Sequence, residues 1–305
     1  MPDQPPRAPL DYGIAPPAHR LPDATHLGAV HLLVSDLARS RAYYEEVLGL
    51  GALAVDRDRV TLGSRHDDRA LVILHTRPGV TPARRGAFGL FHFAILLPDR
   101  AALGRFAAHL AALGIRAGMA DHLVSEALYL SDPDGLGIEV YADRPRDSWR
   151  HRDRELAMTT DPLDLAAVVA AGDGIAWSGA PAGTTMGHVH LHVGSLDDGA
   201  AFYHRALGFD TMVWSYPGAL FLAAGGYHHH LGTNVWARGP APSASHAQLL
   251  EWQVVVPTEQ DAAAALRSVR DAGYTVEPRA DGGAALDPWG TRVRLLARPE
   301  SVGQS

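Results

Sequence analysis

Apolar and polar residues alternate in four separate stretches of this chain: LGAVHLLVSDL (27–37), LFHFAILLPDR (90–100), MGHVHLHVGSL (186–196) and LLEWQVVVPTE (249–259). Alternation with period two predicts strands, because successive side chains leave a strand on opposite faces. Each stretch runs into a segment with apolar residues at helical spacing and a glycine near its end: ARSRAYYEEVLGL, AALGRFAAHLAALGI, DDGAAFYHRALGF and QDAAAALRSVRDAGY. That combination predicts a helix closed by a glycine. Further strands follow and end in ALVILHT, LGIEVYA, HHLGTNVWA and TRVRLLA. The unit is therefore β-α-β-β-β, about fifty residues long, present four times.

Four such units make an α+β chain of two halves. Residues 27–142 hold two modules and residues 186–298 hold two more. The segment 143–185 opens polar, allows one short helix at 161–171 and ends rich in Gly and Pro, as a linker does. Residues 1–26 read as a Pro-rich N-terminal arm and 299–305 as a tail. The hydrophobic share, 47% of 305 residues, suits a globular protein with a sizeable core. A net charge of -7 argues against a nucleic-acid partner, which calls for a basic surface. No apolar run reaches the ~20 residues that span a bilayer, and the N-terminus lacks a signal-peptide pattern. No membrane partner and a cytoplasmic location are the expectations. Cysteine is absent, so a metal would have to rest on histidine and carboxylate. The 17 histidines include two clusters, HVHLH at 188–192 and HHH at 228–230.

Four β-α-β-β-β modules in one chain resemble the vicinal oxygen chelate superfamily, which includes glyoxalase I, bleomycin-resistance proteins and type I extradiol dioxygenases. The resemblance covers residues 27–297. It implies two curved-sheet cups of two modules each, with a divalent metal held from the first and last strands of modules. Aligned on the strands, the first-strand slot falls on Ala29, His92, His188 and Glu251, and the last-strand slot on Ile73, Glu139, Asn234 and Arg292. His92, His188 and Glu139 would form a two-His-one-carboxylate triad, which leaves open positions on Fe(II). Mn(II) has overlapping ligand preferences. His92 and Glu139 lie in the second module and His188 in the third. Within one chain, the triad assembles only if modules two and three share a cup, and that pairing is expected.

A closer resemblance lies in HLVSEALYLSDPDGLGIE, residues 122–139. It is similar to the extradiol dioxygenase signature of a His, a Tyr, Asp-Pro-x-Gly and the ligand Glu; Ala120 in its flank departs from the pattern. The resemblance implies that His122 and Tyr129 offer hydrogen bonds to substrate. In GGYHHHLGTNVW (225–236) the family motif places the acid–base histidine at His229, whereas alternation counted back from Asn234 favours His228 and His230. His229 and His230 both remain candidates. His190, on the face of His188, is a candidate for orienting a ligand, and His31 is its counterpart in module one. Trp214, Trp236, Phe221 and Tyr227 are candidates for an apolar wall.

As a whole the chain resembles the catechol 2,3-dioxygenase branch. That implies Fe(II)-dependent extradiol cleavage of a catechol-type or hydroquinone-type aromatic diol by O₂. One alternative is a glyoxalase-type metal-dependent lyase or isomerase, which would usually bring a second carboxylate ligand, with Glu251 the spare. Another is a non-catalytic drug-binding protein, which needs no triad. Exposed edges of incomplete cups make a homo-oligomer an expectation.

Overall fold

The computed structural model describes residues 12–279 and 282–298. The first part of the arm and the tail at 299–305 lie outside the described residues. Module one comprises β1 (His26–Leu33), α1 (Leu37–Glu46), β2 (Gly51–Val55), β3 (Arg59–Gly63) and β4 (Ala70–His75). Module two comprises β5 (Gly89–Leu96), α2 (Arg100–Ala112), β6 (Gly118–Asp121), β7 (Ser125–Ser131) and β8 (Gly137–Asp143). The connecting segment carries a short hairpin, β9 (His151–Arg152) with β10 (Glu155–Leu156), and the helix α3 (Leu165–Ala171). Module three comprises β11 (Thr185–His192), α4 (Leu196–Gly199) running on as a π-helical stretch Ala200–Ala206, β12 (Asp210–Val213), β13 (Ala219–Ala223) and β14 (Leu231–Asn234). Module four comprises β15 (Gln248–Val256), α5 (Glu259–Asp271), β16 (Val276–Arg279), β17 (Gly282–Leu286) and β18 (Arg292–Ala297).

Each helix starts where a short polar side chain takes up a free backbone N–H. Asp36, Asp99, Asp164, Ser195 and Thr258 each accept from the backbone N–H three residues on. The connecting segment is not a loose tether. Its α3 sits so close on α2 that a Cβ at Gly104 would lie 2.2 Å from the Val168 carbonyl.

The strands form two curved eight-stranded sheets. One runs β12-β13-β14-β11-β5-β8-β7-β6, joining modules three and two. The other runs β16-β17-β18-β15-β1-β4-β3-β2, joining modules four and one. At the centre of the first sheet β5 and β11 are antiparallel, with His92 opposite His190 and His188 opposite Ala94. The parallel neighbour β8 sets Glu139 beside Ala94. Modules two and three therefore share a cup, as the divided triad requires.

Modules of the same half are tied differently, through a tyrosine on the helical segment of module one and another on that of module three. Asp132 begins the Asp-Pro-Asp-Gly turn, and its Oδ1 accepts from the backbone N–H groups of Asp134 and Leu136. Its Oδ2 accepts from Tyr44 of module one at 3.3 Å. Module four repeats this: Asp287 Oδ1 accepts from the N–H groups of Trp289 and Thr291, and its Oδ2 from Tyr203 of module three at 2.8 Å. Both aspartates and both tyrosines are buried.

The register corrects two of the last-strand slots. Glu139 sits beside the residue two positions after His92. The same step leads from His31 to Ile73, from His190 to Gly232 and from Gln253 to Arg294. Gly232 and Arg294, not Asn234 and Arg292, are thus the counterparts of Glu139. A slip of two residues leaves every side chain on the same face, so alternation cannot detect it.

Candidate metal centre

Three strands of the shared sheet bring their side chains to one point inside the cup. His92 on β5, Glu139 on β8 and His188 on β11 are each at most 5% exposed. His92 Nε2 and His188 Nε2 are 3.3 Å apart, and Glu139 Oε2 lies 3.1 Å from the first and 3.2 Å from the second. Donors held about 2.1 Å from one cation at right angles stand ~3 Å from each other, so this triangle fits one face of an octahedral ion. Among the described residues it is the group of His, Cys, Asp or Glu side chains whose spacing could hold a metal. Burial pushes the His188 imidazole down to about 4 even though Glu139 pulls it up, which favours the neutral form that a metal requires. Burial pushes the Glu139 carboxyl up, but His188 and His92 together hold it well below the usual carboxylate range.

A second histidine group lies against this triangle. The His229 ring is 4.1 Å from that of His188, centroid to centroid. Its Nδ1 is 2.7 Å from Nδ1 of His228, whose Nε2 donates to Asp143 Oδ1 at 2.9 Å. The carboxylate fixes the His228 proton on Nε2, so His228 Nδ1 accepts and His229 Nδ1 donates. That leaves His229 Nε2 as an acceptor. His230 does not line the cavity. Its Nδ1 accepts from the N–H of Ala224, and its ring packs beside Phe209 and Tyr227. Counting back from Asn234 failed here because β14 begins at Leu231, and residues 228–230 are loop without strand alternation.

His122 and Tyr129 meet on the other side. The Thr159 carbonyl accepts from His122 Nδ1 at 2.6 Å, so Nε2 is the acceptor for the Tyr129 hydroxyl, also at 2.6 Å. Burial and the nearby Glu139 hold the Tyr129 phenol well above its ordinary pKa. His190 receives a hydrogen bond from Asn234 Nδ2 at 2.9 Å. Gly232 makes room for it, since a Cβ there would come within 2.8 Å of the imidazole.

These side chains line a cavity of about 350 Å³. Of the aromatic residues expected in its wall, Phe221 and Trp236 are there. Trp214 is 39% exposed and lines none of it. Tyr227 lies behind it, its hydroxyl shared with Tyr141 and Asp143. Phe91, Met158, Thr159, Thr160 and Tyr216 were missed. Phe91 is the extra residue of a bulge, because His92 pairs with His190 while Leu90 pairs with Leu191. A bulge re-aims a side chain against the alternation.

The other cup keeps the fold and loses the donors. Ala29 stands in the place of His188, Glu251 in that of His92 and Arg294 in that of Glu139. Arg294 Nη1 lies 3.4 Å from Glu251 Oε1, and Arg279 approaches the same carboxylate. A guanidinium meets Glu251 where the first cup offers a cation site. Glu251 is thus committed in the other sheet and is no spare ligand for the triad.

The comparisons agree with this architecture. A family model described as Glyoxalase/Bleomycin resistance protein/Dioxygenase superfamily matches residues 26–140 and 185–295. A catechol-2,3-dioxygenase of Bacillus subtilis is 43% identical over 271 residues, which cover 87% of this chain and 94% of that protein. Among solved structures, a Bacillus subtilis protein described as a dioxygenase aligns at TM-score 0.64 and 14% identity, covering 92% of this chain and 87% of its own. A glyoxalase I variant from Zea mays aligns at TM-score 0.54 and 18% identity, covering 90% and 92%. At these identities the structures share a fold. The chain belongs to the Glyoxalase/Bleomycin resistance protein/Dioxygenase superfamily, as one of its catechol-2,3-dioxygenase-like members.

Proposed function

We propose that this chain is an extradiol ring-cleaving dioxygenase acting on a catechol-type aromatic diol, with Fe(II) held by His92, His188 and Glu139. The observation that carries the proposal is the 3.1–3.3 Å triangle of two imidazoles and one carboxylate, buried in the wall of an aromatic-lined cavity. Its likeness to a catechol-2,3-dioxygenase supports it. In the reaction the ring carbon–carbon bond next to the diol breaks, and both atoms of O₂ enter the product. When bound, Fe(II) supplies electron transfer and orients the diol and O₂.

The chain's own residues handle protons and position. His229, with Nε2 left as acceptor by the Asp143–His228 pair, takes the proton of a diol hydroxyl. Tyr129 keeps its own proton on His122 and turns a lone pair to the substrate. His190, tethered by Asn234, flanks His92 (ring centroids 5.0 Å apart) and closes the floor beside the triad. The buried surroundings exclude water from the reacting atoms. A glyoxalase-type isomerase would call for a second carboxylate in the centre, and the triangle contains Glu139 alone. The test is anaerobic loading with Fe(II), followed by O₂ uptake and the yellow ring-opened product from catechol. One O₂ consumed per ring opened supports the proposal; no uptake by protein holding stoichiometric iron contradicts it. Loading with Mn(II) in parallel decides the ion.

A further inference from the structure

From the buried triad the cavity runs past a belt of rings. Tyr216 and Phe221 lie 5.5 Å apart between centroids, Phe221 and His190 5.6 Å, His190 and Trp236 5.6 Å, and Trp236 and Phe91 5.6 Å. The belt runs outward, because the triad is at most 5% exposed whereas Phe91 is 37% and Trp236 46% exposed. Facing it is the connecting segment at Met158–Thr160, held by Thr159 on His122 and by the Thr160 hydroxyl on Tyr216 at 2.7 Å. Among the described residues that line the cavity there is no arginine, and the sequence has no lysine. Arg152 does not line the cavity; it lines a neighbouring groove that shares Met158, Thr159 and Tyr216 with it and also holds Glu155.

A diol seated at the triad directs its ring substituent into this belt. A substituent carboxylate would leave water with no cation to receive it, which is costly. An alkyl or aryl group would bury apolar area against rings and a thioether that adapts to its shape. The volume is in the range of pockets that hold ligands larger than a bare diol ring. We propose that the substrate is a catechol with an uncharged, apolar ring substituent, alkyl or aryl, and that carboxylate-bearing catechols are excluded. This rests on the ring-cleavage function proposed above.

The test compares an ethyl-substituted catechol with a catechol bearing an acetate group. Metal-loaded protein is studied twice: by anaerobic calorimetry for binding, and in air for kcat/KM. The ethyl compound should bind and turn over roughly 100-fold better. Equal or tighter binding of the acetate compound overturns the proposal, and so does failure of the ethyl compound to bind. Trp236→Arg should shift the acetate-to-ethyl ratio at least ~10-fold toward acetate, whereas a merely structural loss would lower both alike; an unmoved ratio counts against the belt as the determinant. Binding with the expected preference but no ring opening would refute only the proposed reaction. Ring opening with acetate preferred would refute only this inference.

Discussion

At His188, module three delivers a neutral imidazole to a carboxylate that belongs to module two. Nothing but Glu139 in that group carries negative charge. Glu139→Ala should therefore lower metal affinity by at least ~100-fold, since loss of even an outer-shell partner costs 10–100-fold. Metal titration against a chelator reads this directly. His229 makes a different claim. Its variant His229→Ala should retain the metal and lose roughly 10²–10⁴ in kcat, the range for one general acid–base group. Asp143→Asn should lose less, about 10–100-fold, by unsettling the His228 proton that fixes His229. Equal kcat in wild type and Asp143→Asn would remove that positioning role. The convergence of His92, Glu139 and His188 was legible in the sequence because short ordered strings carry these residues. His230 stood level with His229 in the sequence because strand alternation was extended into a loop. Asp143 was passed over because a carboxylate at the very end of a ligand strand, where a polar connecting segment begins, looks like ordinary solvated surface.

The elements carry their own devices. The Asp-Pro-Asp-Gly string was legible as a turn and as part of a signature. Its role in receiving Tyr44 from the neighbouring module was not, because no local pattern names a partner 88 residues away. Tyr44→Phe and Tyr203→Phe should each cost about 1 kcal/mol, and their effects should add, since the two sites are separate. Chemical denaturation of both single variants and the double variant checks this. Burial pushes the Asp132 carboxyl up to about 6, against backbone and Tyr44 hydrogen bonds that pull it down. The native state thus holds that proton more tightly than the unfolded chain does. Its contribution is fully present below the unfolded pKa, near 3.9, and is lost as pH rises through about 6. Asp132→Asn stays uncharged throughout. Its stability relative to wild type should improve by on the order of 2 kcal/mol between pH 4 and 7, and a flat difference would contradict the shift. Slot register was the other limit at this scale. A two-residue slip keeps the inward face intact, so Asn234 and Arg292 could not be told from Gly232 and Arg294 without the ladder.

Across the whole molecule, one pair of modules has a site and the other has the same frame with its charges paired. Sequence periodicity counted the modules but held no information on pairing, which is a long-range property. The division of the triad between modules two and three supplied it. The cavity wall was the least legible part, since Phe91 comes from a bulge, Met158 from the connecting segment and Tyr216 from a turn. The matching frames allow a test of the register itself. Ala29→His with Arg294→Glu would build a group of one His and two carboxylates, Glu251 being the second carboxylate. The doubly substituted protein should be destabilised without metal and should bind a second ion per chain; a stoichiometry that stays at one contradicts the slot assignment. The central claim is that one metal is held jointly from both halves. It is tested most directly by metal content after Fe(II) loading and gel filtration of wild type and His188→Ala. One iron per wild-type chain and little in the variant is the expected result. Equal iron in both would show that the ion is held without module three.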